Sequence, residues 1–235
     1  MAGKWQGSRR GVPALVAALM VLVVPRGGGQ AVLSVRSGVG TRVVLSRAAG
    51  EQQLMALSRT AASEDAWLFT EDSWTDVGYD EGKTEVLLDL DQVTAAARGR
   101  DPADPLALYH LHPLHEDARL IDPPSLQDVL SLELLKEQCD TGITGVIFDG
   151  RGKWTFDIGA RLQAIIRQRR PLAADYSAVH GYGLPTNPEF FFERSFSLIA
   201  WEENSSPDGR DERIRRFIES AGKLDVIVTY TPIEP

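Results

Sequence analysis

His110, His112 and His115 are three of the four histidines in this 235-residue chain, and all lie in the segment ALYHLHPLHEDARLIDPPSLQD, residues 107–128. Imidazole nitrogens and carboxylate oxygens are the donors from which zinc sites are built. In a strand, side chains two apart share a face. His110 and His112, placed in the strand-like LALYHLH, therefore project together, close enough to share one cation; on a helix the same spacing would splay them. Pro113 has no N–H for a sheet ladder, so it ends the strand and leaves both imidazoles at its rim. A third ligand is available in Asp128. Ser125-x-x-Asp128 precedes an apolar run and reads first as a helix capping box. Beside His-x-His-Pro, an aspartate in the first turn of the next helix also completes a His, His, Asp set. Three protein ligands leave the fourth zinc position to water, the catalytic arrangement. Iron, nickel and manganese accept the same donors.

These side chains need a strand, a turn and a helix in that order, and the flanking sequence supplies more. GEQQLMALSRTAAS has Leu54, Leu57 and Ala61 at helical spacing. DAWLFT and TEVLLDL read as strands, with the polar DSWTDVGYDEGK as a loop between them. DLDQVTAAARG reads as a helix stopped by Gly99. SLQDVLSLELLKEQ is a helix, and GITGVIFD with KWTFDIG forms a hairpin around residues 149–152. Further on, ARLQAIIRQRR reads as a basic helix, AVHGYGLPTNPEFFFE as an aromatic loop holding His180, SFSLIAWEE as a strand, DERIRRFIES as a helix and LDVIVTYT as a last strand. The pattern is one α/β domain without strict alternation and without repeats.

His110-x-His112-Pro113 followed by Pro124-Ser125-x-x-Asp128 resembles the signature of the JAB/MPN, or JAMM, metallopeptidases over residues 45 to 160. The resemblance implies a mixed sheet flanked by helices, of the cytidine-deaminase-like kind, over residues 32–160; it does not reach residues 161–235, which read as a C-terminal α/β extension packed on the same domain. It implies one zinc ion per chain held by His110, His112 and Asp128, an oxyanion stabilised by Ser125, and a glutamate at an upstream helix–strand junction acting on the zinc-bound water. Glu64 occupies that junction; Glu51 comes too early and Glu71 lies past the strand. Eleven residues separate Pro113 from Ser125, more than is usual in the family, so LHEDARLIDPP becomes an enlarged loop. Its His115, Glu116, Asp117 and Asp122 read first as solvated loop charges, with contact to the metal or the substrate as the alternative.

The implied activity is hydrolysis of a peptide or isopeptide bond, with a peptide or protein as substrate. The alternative is a non-catalytic MPN-like scaffold, with or without a metal. A net charge of −8 argues against a nucleic-acid partner. Cys139 stands alone, which excludes an internal disulfide or a multi-cysteine metal site. At the N-terminus, Lys4, Arg9 and Arg10 precede an apolar run from Ala14 to Val24, with small residues up to Ala31. Eleven apolar residues fall short of the roughly 20 that span a bilayer and fit a signal-peptide core. Residues 1–31 thus read as an export signal, in which Ser8-Arg9-Arg10 matches a twin-arginine signal only weakly because Gly11-Val12-Pro13 follows, and the mature chain as periplasmic or secreted, with no stable membrane span; an uncleaved anchor would export it equally. Asn204-Ser205-Ser206 is a glycosylation sequon.

Overall fold

The computed structural model describes residues 33, 39–71, 73–80, 86–98, 106–139, 141–165 and 188–233. Residues 1–31, read above as an export signal, His180 and the last five residues of the predicted basic helix, 166–170, lie outside them. In chain order the elements are β1 (Arg42–Val44), α1 (Arg47–Ser58), β2 (Asp65–Thr70), β3 (Ser73–Asp76), β4 (Gly78–Asp80), β5 (Val86–Leu88), α2 (Leu90–Ala97), β6 (Leu106–Leu111), α3 (Leu126–Cys139), β7 (Ile143–Phe148), β8 (Gly152–Ile158), α4 (Pro188–Ser205), α5 (Arg210–Lys223) and β9 (Val226–Pro232). Residues 160–165 are also helical. Among the described helices, none is long and apolar enough to cross a membrane.

Seven strands form one mixed sheet in the order β1-β3-β2-β6-β7-β8-β9, while β4 and β5 pair separately. Only β6 and β7 run parallel, joined through α3; the other neighbours are antiparallel. The sheet is flanked by helices, as the α/β reading requires. Alternation along β6 divides its side chains between two buried layers. Leu106 and Leu108 face a core shared with Val129 and Leu132 of α3 and Phe217 of α5. Ala107, Tyr109 and Leu111 face a second core with Leu54 of α1, Trp67 and Trp74. The C-terminal residues finish the same sheet: β9 pairs with β8 along its full length, from Gly152 opposite Pro232 to Ile158 opposite Val226.

Two segments differ from their sequence patterns. DSWTDVGYD, read as a loop, supplies β3 and β4. Its polar residues tolerate burial because β3 lies between β1 and β2, which satisfy its backbone on both sides, and because the Ser73 and Thr70 hydroxyls bond each other at 3.1 Å. SFSLIAWEE, read as a strand, lies in α4, as does the EFFFE stretch. Phe196 and Ile199 form its buried stripe while Leu198 and Trp201 are exposed, a helical rather than an alternating division.

Helix α1 is pressed onto the sheet at Gly50. A Cβ there would stand 2.1 Å from the Trp74 indole, and that indole is anchored by its bond to the Leu45 carbonyl at 3.1 Å. Gly50→Ala therefore opposes a helix-propensity gain of about 1 kcal/mol with an overpacked contact that costs more. We expect a net loss of about 1–3 kcal/mol, read as a lower urea midpoint with unchanged slope; an unchanged midpoint would contradict this packing.

Candidate metal centre

Strand pairing brings the centre together. Ala66 lies opposite His110 and Asp65 opposite Leu111, so the next step of the register sets Glu64 level with His112. Glu64 thus occupies the α1–β2 junction at the sheet's rim. His112 lies just past β6 and keeps the alignment with β7, donating its N–H to the Phe148 carbonyl at 2.9 Å. From the other side comes the start of α3. The Ser125 Oγ accepts the Asp128 N–H at 3.1 Å, and the Ser125 N–H and Oγ–H both donate to Asp128 Oδ2 at 2.7 Å. That is a capping box, but its aspartate has a second oxygen. Asp128 Oδ1 lies 3.0 Å from His110 Nδ1.

His110 is consequently held between two carboxylates, with Glu64 Oε2 at 3.1 Å from Nε2. The His110 and His112 rings meet edge to face, 4.7 Å between centroids. His112 Nε2 lies 3.9 Å from Asp128 Oδ2. Its Nδ1 faces Asp122 Oδ1 at 3.3 Å, without the angle of a hydrogen bond, and is a buried polar atom with no hydrogen-bond partner. Glu64, His110 and His112 each place one ligand atom within 4.8 Å of the others, a group that could hold a metal ion. All four side chains singled out as ligand or base therefore converge, and Ser125 joins them through Asp128. Asp128 stands nearest the Nδ1 side of His110, while Glu64 stands nearest Nε2.

The electrostatics suit a cation. Burial disfavours a charged imidazole at His110, but Asp128 and then Glu64 outweigh it and push the group up to about 10. Burial would likewise raise Asp128, yet the adjacent His110 holds it well below the usual carboxylate range. Asp122 is lowered in the same way, against its own burial, by His112. At neutral pH the His110 imidazolium thus donates from each nitrogen to a different carboxylate, and a dication that displaced one of those protons would leave a neutral imidazole ligand. The nitrogen and oxygen donors of Glu64, His110 and His112 are of the kind that hold a divalent metal ion. Beside His110 and Asp128 opens a recess floored by Ala66, Leu108 and Phe156, with Gln127 and Ser131 on its wall.

The other charges of the enlarged loop divide. Asp117 pairs with Arg119 at 2.9 Å and its N–H donates to His115 Nδ1, all near the surface. Asp122 keeps a 43% exposed side chain and also faces His112; its sequence context does not set it apart from the other loop charges, because the contact depends on how the loop folds back. Glu71 falls in the turn at the far end of β2. Cys139 closes α3, half-buried, with burial raising its thiol. No family model, curated protein or solved structure matches the chain.

Glu51 lies on the opposite face of the sheet, where it accepts from the Tyr109 hydroxyl at 2.6 Å and from Lys153 Nζ at 3.0 Å. Its burial would raise it, but these partners hold it below its ordinary 4.5. A carboxylate depressed in the folded state stabilises above its unfolded pKa, and that contribution is lost as pH falls through the lower folded value. Glu51→Gln should therefore cost about 1–3 kcal/mol at pH 7 and less below pH 4, seen in urea unfolding across pH, with zinc binding unchanged. An equal loss at both pH values would argue against the charged network.

Proposed function

We propose that the chain is an exported zinc-dependent hydrolase that cleaves a peptide or isopeptide bond with activated water, in a centre like that of the JAB/MPN metallopeptidases. The observation that carries this reading is the convergence of Glu64, His110, His112 and Asp128 at one sheet rim. A basic head followed by an apolar core near the N-terminus supports export.

In this reading His110, His112 and Asp128 hold the ion, and zinc when bound supplies Lewis acidity and lowers the pKa of water toward about 7. Glu64, beside the same atoms, takes the proton of the attacking water and returns it to the leaving amine. Ser125 lies next to the centre, and its hydroxyl, now bonded to Asp128, turns its proton toward the oxyanion as charge develops there. The apolar floor of the recess suits an apolar side chain beside the scissile bond.

One observation favours a second assignment of the two carboxylates. Glu64, not Asp128, forms the tight trio with both histidines, and Asp128 bonds the Nδ1 of His110, the place of a carboxylate that orients a ligating imidazole. Glu64 is then the third ligand and Asp128 its outer support.

Metal analysis with a quenched peptide library separates these accounts. The wild type should carry about one zinc per chain, and His112→Ala and Asp128→Ala should lose it. Glu64→Gln should keep zinc and lose hydrolysis by about 10²–10⁴-fold if it is the base. Loss of zinc from Glu64→Gln would select the second assignment. Zinc without hydrolysis in the wild type would indicate a metal-holding scaffold, and a wild type that takes up none would end the proposal.

A further inference from the structure

The loop between Pro113 and Ser125 is tied down by the C-terminal part of the chain. The carboxamide of Asn204, in the last turn of α4, reaches Ile121 and grips both of its backbone groups. Ile121 N–H donates to Asn204 Oδ1 at 2.9 Å, and Asn204 Nδ2 donates to the Ile121 carbonyl at 3.0 Å. Arg210, the first residue of α5, donates to the Leu120 carbonyl. That guanidinium is itself anchored, to Asp149 Oδ2 at 2.7 Å and the Tyr230 hydroxyl at 3.0 Å. The Ile121 side chain is buried in the helix-side core, and Pro123 and Pro124, also buried, fix the backbone on the other side. Asp122 is therefore set between immobilised neighbours.

What Asp122 faces is the buried Nδ1 of His112, at 3.3 Å. The two histidines are alike in this. Each turns Nδ1 toward an aspartate of the loop–α3 segment, Asp128 for His110 and Asp122 for His112, which leaves Nε2 on the other side of each ring, 3.1 Å from Glu64 Oε2 in His110 and 3.9 Å from Asp128 Oδ2 in His112. In metal sites the imidazole nitrogen away from the ion donates to a carboxylate, which fixes the tautomer and the ring's orientation. Asp122 is outside the trio of close ligand atoms, so its place is behind His112.

We propose that Asp122 orients His112 as an outer carboxylate of the metal centre, and that Asn204 is a positioning residue that holds Asp122 there through Ile121. The inference rests on the metal-centre reading above. It gives the C-terminal segment a part in the site.

The test uses the full mature chain, zinc competed against a chromophoric chelator, and the visible spectrum of the cobalt(II)-substituted protein. Asp122→Asn should weaken zinc binding by about 10–100-fold and shift the cobalt bands, with the metal-free melting temperature little changed. Asn204→Ala should weaken zinc binding less and shift the bands the same way. In an Asp122→Asn background, Asn204→Ala should weaken zinc no further. Wild-type affinity and spectrum in Asp122→Asn overturn the role of Asp122. If instead Asn204→Ala weakens zinc equally in both backgrounds, or changes only the melting temperature, its positioning role is overturned. A wild type that binds neither metal, or a His112→Ala variant that binds as well as wild type, fails the metal-centre reading itself and this inference with it.

Discussion

The Asp128 carboxylate is shared between two tasks, and that sharing couples the fold to the centre. Oδ2 receives the Ser125 N–H and hydroxyl and closes the first turn of α3; Oδ1 faces His110. A helix start carries unsatisfied N–H groups and a partial positive charge, so a carboxylate is stabilised there whatever else it does. The same helix is locked onto the sheet by Val129, Leu132 and Leu135. Sliding or rotating α3 would break the cap, disturb that packing and withdraw the carboxylate from the imidazole together. The geometry at His110 is thus inherited from the burial of a whole helix.

The sheet imposes the complementary constraint. The single parallel pair, β6 with β7, requires a crossover, and α3 is that crossover. Its N-terminus therefore starts close to where β6 ends, which is why a rim histidine and a first-turn aspartate meet although 18 residues apart. The antiparallel pair β2–β6 brings the α1–β2 junction to the same rim from the other side. The sheet also separates this charged rim from a second polar network. Tyr109, the neighbour of His110 in sequence, points its hydroxyl at Glu51 on the α1 face, so adjacent residues of one strand serve unrelated environments.

What the sequence made legible follows from how local each feature is. His-x-His in a strand and Ser-x-x-Asp before an apolar run carry their geometry within a few residues, and both were readable. The helix–strand junction around Glu64 was readable from its local pattern too, whereas the choice of that glutamate came from the family resemblance. The polar strands β3 and β4 were not readable, since their Ser, Thr and Asp depend on ladders from neighbouring strands, β1 and β2 for β3 and β5 for β4, rather than on their own pattern. Nor was α4, where Leu198 and Trp201 remain exposed beside buried Phe196 and Ile199 and blur the helical stripe. Asp122 and Asn204 lay furthest from view. A carboxamide gripping a backbone 83 residues away has no local signature, and an acidic residue in a long polar loop resembles any solvated one.

Charge balance argues for what the centre is suited to hold. Three carboxylates, Glu64, Asp122 and Asp128, surround two imidazoles, and the two histidines are largely removed from water. Buried like charges repel strongly where the dielectric is low. A proton on His110 offsets part of this, at the expense of desolvating an imidazolium. Apolar residues of similar volume would make a simpler core at the same rim, since buried charged clusters are commonly no more stabilising than their hydrophobic replacements. One dication could offset the carboxylates while leaving the imidazoles neutral, which is consistent with Glu64, His110 and His112 being a group that could hold a metal ion. The hydrogen bonds from Asn204 and Arg210 to the loop beside His112 tie that rim to segments that no short motif includes.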